Sequence, residues 1–169
     1  MTGPIDDSFL QLINQNLGIA HKVARSYLQT KDDREDLVQE MMYQLWRSYP
    51  TFDGRSKFST WMYSVCLNTA LTYKRKQKKE KAEPLLPLHY QIAEQPSGAR
   101  EDTINILFEV IATLSPVNKA ITLLYLESMS YDEIAFITGL TKSNVSVRLV
   151  RVKKELEVKM KSKLNTVEK

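Results

Sequence analysis

Residues 130–156 read SYDEIAFITGLTKSNVSVRLVRVKKEL, and this stretch decides the fold class. Ser130 followed three residues later by Glu133 has the spacing of a capping box, in which each side chain satisfies a backbone N–H at a helix start. Tyr131, Ile134, Ala135 and Thr138 then fall near one face. Gly139 gives the backbone freedom for a sharp, left-handed turn. Leu140 follows as an apolar wedge, and Thr141 can cap a second helix. In that helix Val145, Leu149, Val152 and Leu156 recur at intervals of four, three and four, which makes one buried stripe. Ser143, Val147, Arg151 and Lys154 point the other way, with Asn144, Ser146 and Arg148 on the flanks. The pattern predicts a helix-turn-helix whose second helix is exposed, small-residued, polar and basic, as major-groove reading requires.

Upstream of this motif the helical period continues. Ser115-Pro116 is a cap followed by proline at the first helical position, and Val117, Ala120, Ile121 and Leu124 make the next stripe. Ile104, Leu107, Phe108 and Ile111 make another. Lys81–Glu101 holds Pro84, Pro87, Pro96 and Gly98, has no sustained period, and reads as a linker. Before it, Ser8 caps a helix reaching about Leu28, with Phe9, Ile13, Leu17, Ala20, Ala24 and Tyr27 inward, after a loose lead-in over Met1–Asp7. Gln29–Arg34 is a polar connection. A helix over Asp36–Tyr49 buries Val38, Met41, Met42, Leu45 and Tyr49, and leaves Asp36, Gln39, Glu40, Tyr43, Gln44 and Arg47 outside until Pro50 stops it. Thr51–Lys57 is a loop. A third helix, about Lys57–Lys79, turns Phe58, Met62, Val65, Cys66 and Thr69 inward and ends in Lys74, Arg75, Lys76, Lys78 and Lys79. Lys159–Lys169 is expected to fray. The fold class is all-α: two small helical domains, 1–80 and 102–169, joined by a flexible linker at 81–101, the C-terminal one a helix-turn-helix.

Composition limits the chemistry. The 169 residues are 43% hydrophobic and carry a formal charge of +4, with only 5 glycines, which argues against a turn-rich β fold. Cations gather at Lys74–Lys81 and Arg148–Lys163, and acids at Asp32–Glu40, so one surface suits nucleic acid and another a protein partner. One cysteine excludes an intrachain disulfide and a cysteine-based zinc site, and points to a reducing, cytoplasmic setting. There is no apolar run of membrane-spanning length, no signal peptide, and no glycine-rich phosphate loop. His21 and His89 are far apart, Cys66 sits at a core position, and the acids near Asp32 open a helix whose dipole they complement. Neither catalysis, nor a metal, nor a cofactor is expected. Lys74–Lys81 is either a solvated helix end or a cationic track. Trp61, Tyr63 and Tyr73 on the same helix put aromatic faces near that track, which suits stacking of opened bases, while core packing is the other reading for Trp61.

Two blocks resemble a known family. Asp36-Leu37-Val38-Gln39-Glu40, Leu45-Trp46, Phe52-Asp53 and Phe58-Ser59-Thr60-Trp61-Met62-Tyr63, followed by Asn68 and Arg75, look like the promoter-melting domain of bacterial RNA polymerase sigma factors. Leu114-Ser115-Pro116, Ser130-Tyr131-Asp132-Glu133-Ile134-Ala135, Val145 and Arg148-Leu149 look like their C-terminal helix-turn-helix domain. Their order and separation resemble the small two-domain group, the extracytoplasmic-function (ECF) sigma factors. The resemblance implies a transcription initiation factor that binds core RNA polymerase, recognises a two-part promoter and nucleates DNA opening.

It also implies site residues. Asp36, Gln39, Glu40, Gln44, Trp46 and Arg47 would dock on the clamp helices of the largest polymerase subunit. The loop Phe52–Lys57, with Phe52, Ser56 and Lys57, would capture a flipped base, and Ser59, Trp61, Asn68, Tyr73, Lys74 and Arg75 would hold the opened strand. Lys142, Ser143, Asn144, Val147, Arg148, Arg151 and Lys154 would meet the upstream duplex element, with Asn suited to adenine, Arg to guanine, and Lys142 and Lys154 to phosphates. The flap of the second-largest subunit and an anti-sigma factor are further partners the resemblance implies. Leu67, Thr72, Lys74 and Ser146 depart from the usual Arg, Asp, apolar residue and Lys at those places. Two rivals remain. A stand-alone helix-turn-helix regulator of duplex DNA explains 130–156 but leaves Asp36–Arg75 without a task. A helical adaptor without DNA binding treats the basic segments as solvated faces.

Overall fold

Helix α1 (Asp7–Tyr27) starts where Asp6 accepts the Ser8 backbone N–H at 3.2 Å. The cap is therefore Asp6 rather than Ser8: its carboxylate satisfies the orphan amide and suits the positive end of the helix dipole. The computed structural model describes residues 6–80 and 99–167, and among them every regular element is helical. The remaining helices are α2 (Lys31–Ser48), α3 (Phe58–Glu80), α4 (Ala99–Ala112), α5 (Pro116–Leu126), α6 (Tyr131–Thr138) and α7 (Lys142–Val167), with a 3-10 turn at Tyr49–Thr51.

The N-terminal helices form a three-helix unit in which α1, α2 and α3 pack on one another. Their core holds Ile13, Val23, Leu37, Met41, Leu45, Met62 and Cys66. Four sequence expectations change here. Leu17 is exposed while Ile19 and Val23 are buried, because α1 packs against α2, α3, α4 and α5 and so buries more than one stripe. Helix α2 begins at Lys31 instead of Asp36, because Thr30 caps it by accepting the Asp33 N–H at 3.1 Å. That extra turn shrinks the connection expected over Gln29–Arg34. Leu37, which the expected stripe omitted, is fully buried. Tyr63, placed near a cationic track by the sequence, is 1% exposed and belongs to the core.

In the C-terminal unit, Ser115 caps α5 by accepting the Asn118 N–H at 3.3 Å, with Pro116 in the first turn. The capping box of α6 is complete: Glu133 N–H to Ser130 Oγ is 3.2 Å, and Ser130 N–H to Glu133 Oε2 is 2.8 Å. Gly139 has φ +73°, the left-handed cap the turn requires. Thr141 Oγ1 accepts the Asn144 N–H at 3.1 Å and opens α7. Val145, Leu149 and Val152 are buried as a stripe. Ile104 and Val117, expected inward, face solvent. The buried face of α4 runs instead through Ile106, Val110 and Ile111, because α4 packs between α7 and α1. The fraying expected from Lys159 onward does not occur: α7 continues to Val167. Lys159 Nζ donates to Thr113 Oγ1 at 2.8 Å and Lys163 pairs with Glu109, fastening the helix to α4. Most of the expected linker lies outside the described residues, and its last three positions, 99–101, open α4.

The two units share a seam. The buried Tyr27 hydroxyl donates to the Pro116 carbonyl at 2.7 Å, and the Lys119 ammonium lies 5.1 Å from the Tyr27 ring centroid. Lys119 is only 6% exposed. Burial, and behind it the nearby Lys74 ammonium, holds its pKa below the ordinary lysine range. Arg25 lies over the Phe108 ring at 4.4 Å and donates to Asn105. Lys22 and Glu127 pair at 2.5 Å across the outer edge. Tyr27→Phe removes the hydroxyl from a buried carbonyl and should cost about 1–2 kcal/mol in urea unfolding of the whole chain. Unchanged stability would mean that the seam does not contribute through this bond.

Candidate nucleic-acid interface

The loop after α2 is built on aromatic rings. Tyr49, Phe52, Phe58 and Trp61 meet with centroid separations of 5.1–6.4 Å, and Phe9 of α1 sits 4.6 Å from Tyr49. Such pairs favour offset and edge-to-face contacts, so the cluster pins both ends of the loop. Gly54 has φ +73° at its tip, where a side chain would be strained. Asp53 accepts the Arg55 N–H at 3.1 Å and pairs with its guanidinium at 2.9 Å, which folds the tip on itself. Phe52, Ser56 and Trp61 are half-buried and Lys57 is exposed. Trp61 thus supports the loop from below while one edge stays open.

The strand-holding candidates do not share one surface. Asn68 and Tyr73 line a groove of about 500 Å³ between α2 and α3, together with Glu40, Gln44, Thr72 and Lys76. Lys74 and Arg75 lie on another face of α3, beside Pro116 and Val117 of α5. Ser59 is at the seam, near Lys22, Tyr63 and Glu127. The Tyr63 hydroxyl is buried beside Glu127 without a hydrogen bond of good geometry. Burial, and then that carboxylate, raises its pKa well above the ordinary tyrosine value. Lys76, which the sequence reading left out of the site, joins Asn68 and Tyr73 in the groove. Its four-residue spacing from Thr72 places it on that face.

On α2, Asp36, Gln39 and Arg47 are exposed, and Glu40, Gln44 and Trp46 are half-buried. Glu40 accepts from Gln44 at 2.8 Å. Tyr43, 50% exposed and 6.1 Å from the Trp46 ring, makes an aromatic pair on this face. Its signal in the sequence was the same spacing that placed Glu40 and Arg47 outside.

On α7, Lys142, Ser143, Asn144, Val147, Arg151 and Lys154 are exposed, and Arg148 is half-buried. Lys142 pairs with Asp132 at 2.8 Å. Arg148 Nε donates to Asn144 Oδ1 at 3.1 Å, and Nη1 to Asn118 Oδ1 at 3.2 Å. Val150, 55% exposed, extends the apolar spot at Val147. The sequence reading passed over Asn118, because it lies on α5 outside the motif.

Cys66 is fully buried, and burial pushes its thiol up to about 12. Among the described residues no group of three or more His, Cys, Asp or Glu is placed to hold a metal ion. No helix among them is long and apolar enough to cross a membrane.

Comparison with known proteins joins the two halves. Residues 12–80 match the family description Sigma-70 region 2, and residues 104–156 match Sigma-70, region 4. The ECF RNA polymerase sigma-E factor of Haemophilus influenzae is 30% identical, over 78% of this chain and 76% of that protein. The RNA polymerase sigma factor SigV of Bacillus subtilis is 29% identical, over 83% of each chain. Two solved structures share the fold. One is the sigma factor RpoE in complex with the anti-sigma factor NepR from Bartonella quintana, with TM-score 0.70, 23% identity, and coverage of 91% of this chain and 97% of that one. The other is CnrH in complex with the cytosolic domain of CnrY, with TM-score 0.67, 20% identity, and coverage of 94% and 91%.

A region 2 unit followed by a region 4 helix-turn-helix defines a sigma factor, a protein that directs RNA polymerase to promoters. Within that class the chain belongs to the ECF RNA polymerase sigma factors. The N-terminal half, for which a stand-alone duplex-binding regulator has no use, thereby acquires its task.

The buried thiol gives a check on the packing of α3. With its pKa near 12 the native protein holds almost no thiolate at about pH 8. Alkylation by iodoacetamide should be about a hundredfold or more slower in buffer than in urea. Equal rates would show that the core around Cys66 opens readily.

Proposed function

We propose that residues 1–80 act as the promoter-melting and polymerase-binding domain, 81–101 as the linker, and 102–169 as the upstream-element domain. The observation that carries this division of labour is the pair of separate exposed surfaces, the aromatic loop after α2 and the polar face of α7. In this reading the solvent face of α2, with Asp36, Gln39, Glu40, Gln44, Trp46 and Arg47, docks on the clamp helices of the largest polymerase subunit. Tyr43 adds an apolar anchor beside Trp46.

The loop holding Phe52, Ser56 and Lys57 captures an extruded base, and Ser59, Trp61, Asn68, Tyr73, Lys74 and Arg75 guide the strand. Extrusion costs a few kcal/mol of stacking, which contacts available only to the opened strand offset. The protein alters no bond, so strand separation is driven by binding. Lys142, Ser143, Asn144, Val147, Arg148, Arg151 and Lys154 meet the upstream duplex, where Arg148 reads a guanine edge and Lys142 and Lys154 neutralise phosphates. A flap contact through the second domain, an anti-sigma factor as regulator, and a cytoplasmic location complete the reading. The likeness to chains solved with anti-sigma factors supports the regulator.

Mixing the protein with core polymerase and a library of genomic fragments tests this directly. Specific transcripts and co-elution with core polymerase at moderate salt are expected, with weak promoter affinity for the free chain. Lys154→Ala should weaken binding evenly across sequences and lower the salt slope by about 1. Tight binding of the free chain to one duplex site, with no transcript, would return the protein to the class of ordinary regulators.

In the docked arrangement Lys74 and Arg75 face α5, and Ser59 lies at the seam. Ser59 and Lys74 are half-buried there, so a strand gains full access to them when the units separate, whereas Arg75 is already exposed. Distances between labels on α2 and α7 should therefore lengthen on binding core polymerase. Identical distances in the free and bound protein would count against Ser59 and Lys74 lying on the strand path.

A further inference from the structure

The strongest unexplained contact on the recognition helix comes from outside the helix-turn-helix. Arg148 is tethered twice, by Nε to Asn144 Oδ1 at 3.1 Å and by Nη1 to Asn118 Oδ1 at 3.2 Å. Asn144 is one turn back on α7 itself, whereas Asn118 stands on α5, thirty residues earlier. A planar guanidinium held at two different nitrogens cannot rotate about either bond alone. It carries five N–H groups, so two are spent on the tethers and three remain for an acceptor pair such as guanine O6 and N7.

The second tether has a firm base. The Asn118 N–H donates to the Ser115 capping hydroxyl at 3.3 Å, and the Asn118 carbonyl accepts from the Thr122 hydroxyl at 2.7 Å. The same turn is fixed to α1 through the bond from Tyr27 to Pro116. The type of acceptor matters as well. A carboxylate at this place would pair with the guanidinium and cancel the charge that DNA attracts. The neutral amide oxygen of Asn118 orients the group and leaves its full charge in place.

We propose that Asn118 is a positioning residue that aims Arg148 at a base edge, and so sets specificity at one base pair of the upstream element without touching that pair. This rests on the reading of α7 as the duplex-reading helix and of Arg148 as one of its base contacts.

The test uses the full chain assembled with core polymerase and a promoter set in which each upstream base pair is varied in turn. Arg148→Ala is expected to flatten the preference at one pair by about 10- to 100-fold. Asn118→Ala should flatten the same pair by about tenfold, leave the preferences at other pairs intact, and leave the salt slope unchanged. The double variant should be no flatter than Arg148→Ala alone, since the two residues act as a unit. Asn118→Asp, which keeps an acceptor but adds a negative charge, should retain the preference while binding weakens at every sequence. If Arg148→Ala alters no single pair, the base-reading role of Arg148 fails, and the proposal falls with it. If Arg148→Ala flattens one pair and Asn118→Ala leaves it sharp, the positioning role alone is wrong. An even loss across all sequences in Asn118→Ala would reduce Asn118 to a structural strut and overturn the proposal.

Discussion

The structure depends on the burial of α3. Met62, Cys66 and Ala70 are fully buried against α1 and α2, while Leu67 is 3% exposed and Thr60 6%. Burial of Met62 and Leu67 is worth about 1.5–3 kcal/mol each, which offsets the repulsion of the lysines and arginine at the C-terminal end of the helix. That constraint sorts the rest of α3. Positions not turned into the N-terminal core become the groove with Asn68, Tyr73 and Lys76, or the face with Lys74 and Arg75 beside α5. Leu67 belongs to this core, where the charge of an arginine would have to be desolvated.

A second level of organisation is the seam. Tyr27 closes the last turn of α1 and also supplies the hydroxyl and ring that receive the first turn of α5. Lys119 is buried there against an aromatic face, and no carboxylate among the described residues pairs with it. Attraction to the ring offsets part of the desolvation cost, and Lys74 opposes it. Around these groups the seam adds Arg25 over Phe108, one ion pair between Lys22 and Glu127, and a hydrophobic core that continues from the N-terminal helices into Ala120, Ile121 and Leu124. The polar contacts fix the register in which the two units meet.

The two surfaces proposed to meet DNA are each held by residues packed behind them. The aromatic cluster of Tyr49, Phe58 and Trp61 holds the loop that presents Phe52. The capped first turn of α5 holds the guanidinium of Arg148. In each case a rigid element positions a flexible or polar group, so the ordering cost is met on folding and not again on binding.

The sequence by itself determined what is local. Capping at Ser115, Ser130 and Thr141, the left-handed Gly139, and the stripe Val145–Leu149–Val152 were legible because each rests on groups a few residues apart. The two resemblance blocks carried the family for the same reason: runs of adjacent residues preserve their spacing. Tertiary structure alone decided which of two plausible faces each helix buries. Leu17, Ile104 and Val117 turned outward and Leu37 and Tyr63 inward because each of helices α1 to α5 packs on two or more neighbours at once, which no single period describes. It also decided that α7 runs on to Val167, held by bonds from Lys159 and Lys163 to α4. The division of the strand-holding candidates among groove, α5 face and seam, and the reach of Asn118 to Arg148, depend on groups from distant parts of the chain, so only the packed molecule could bring them together.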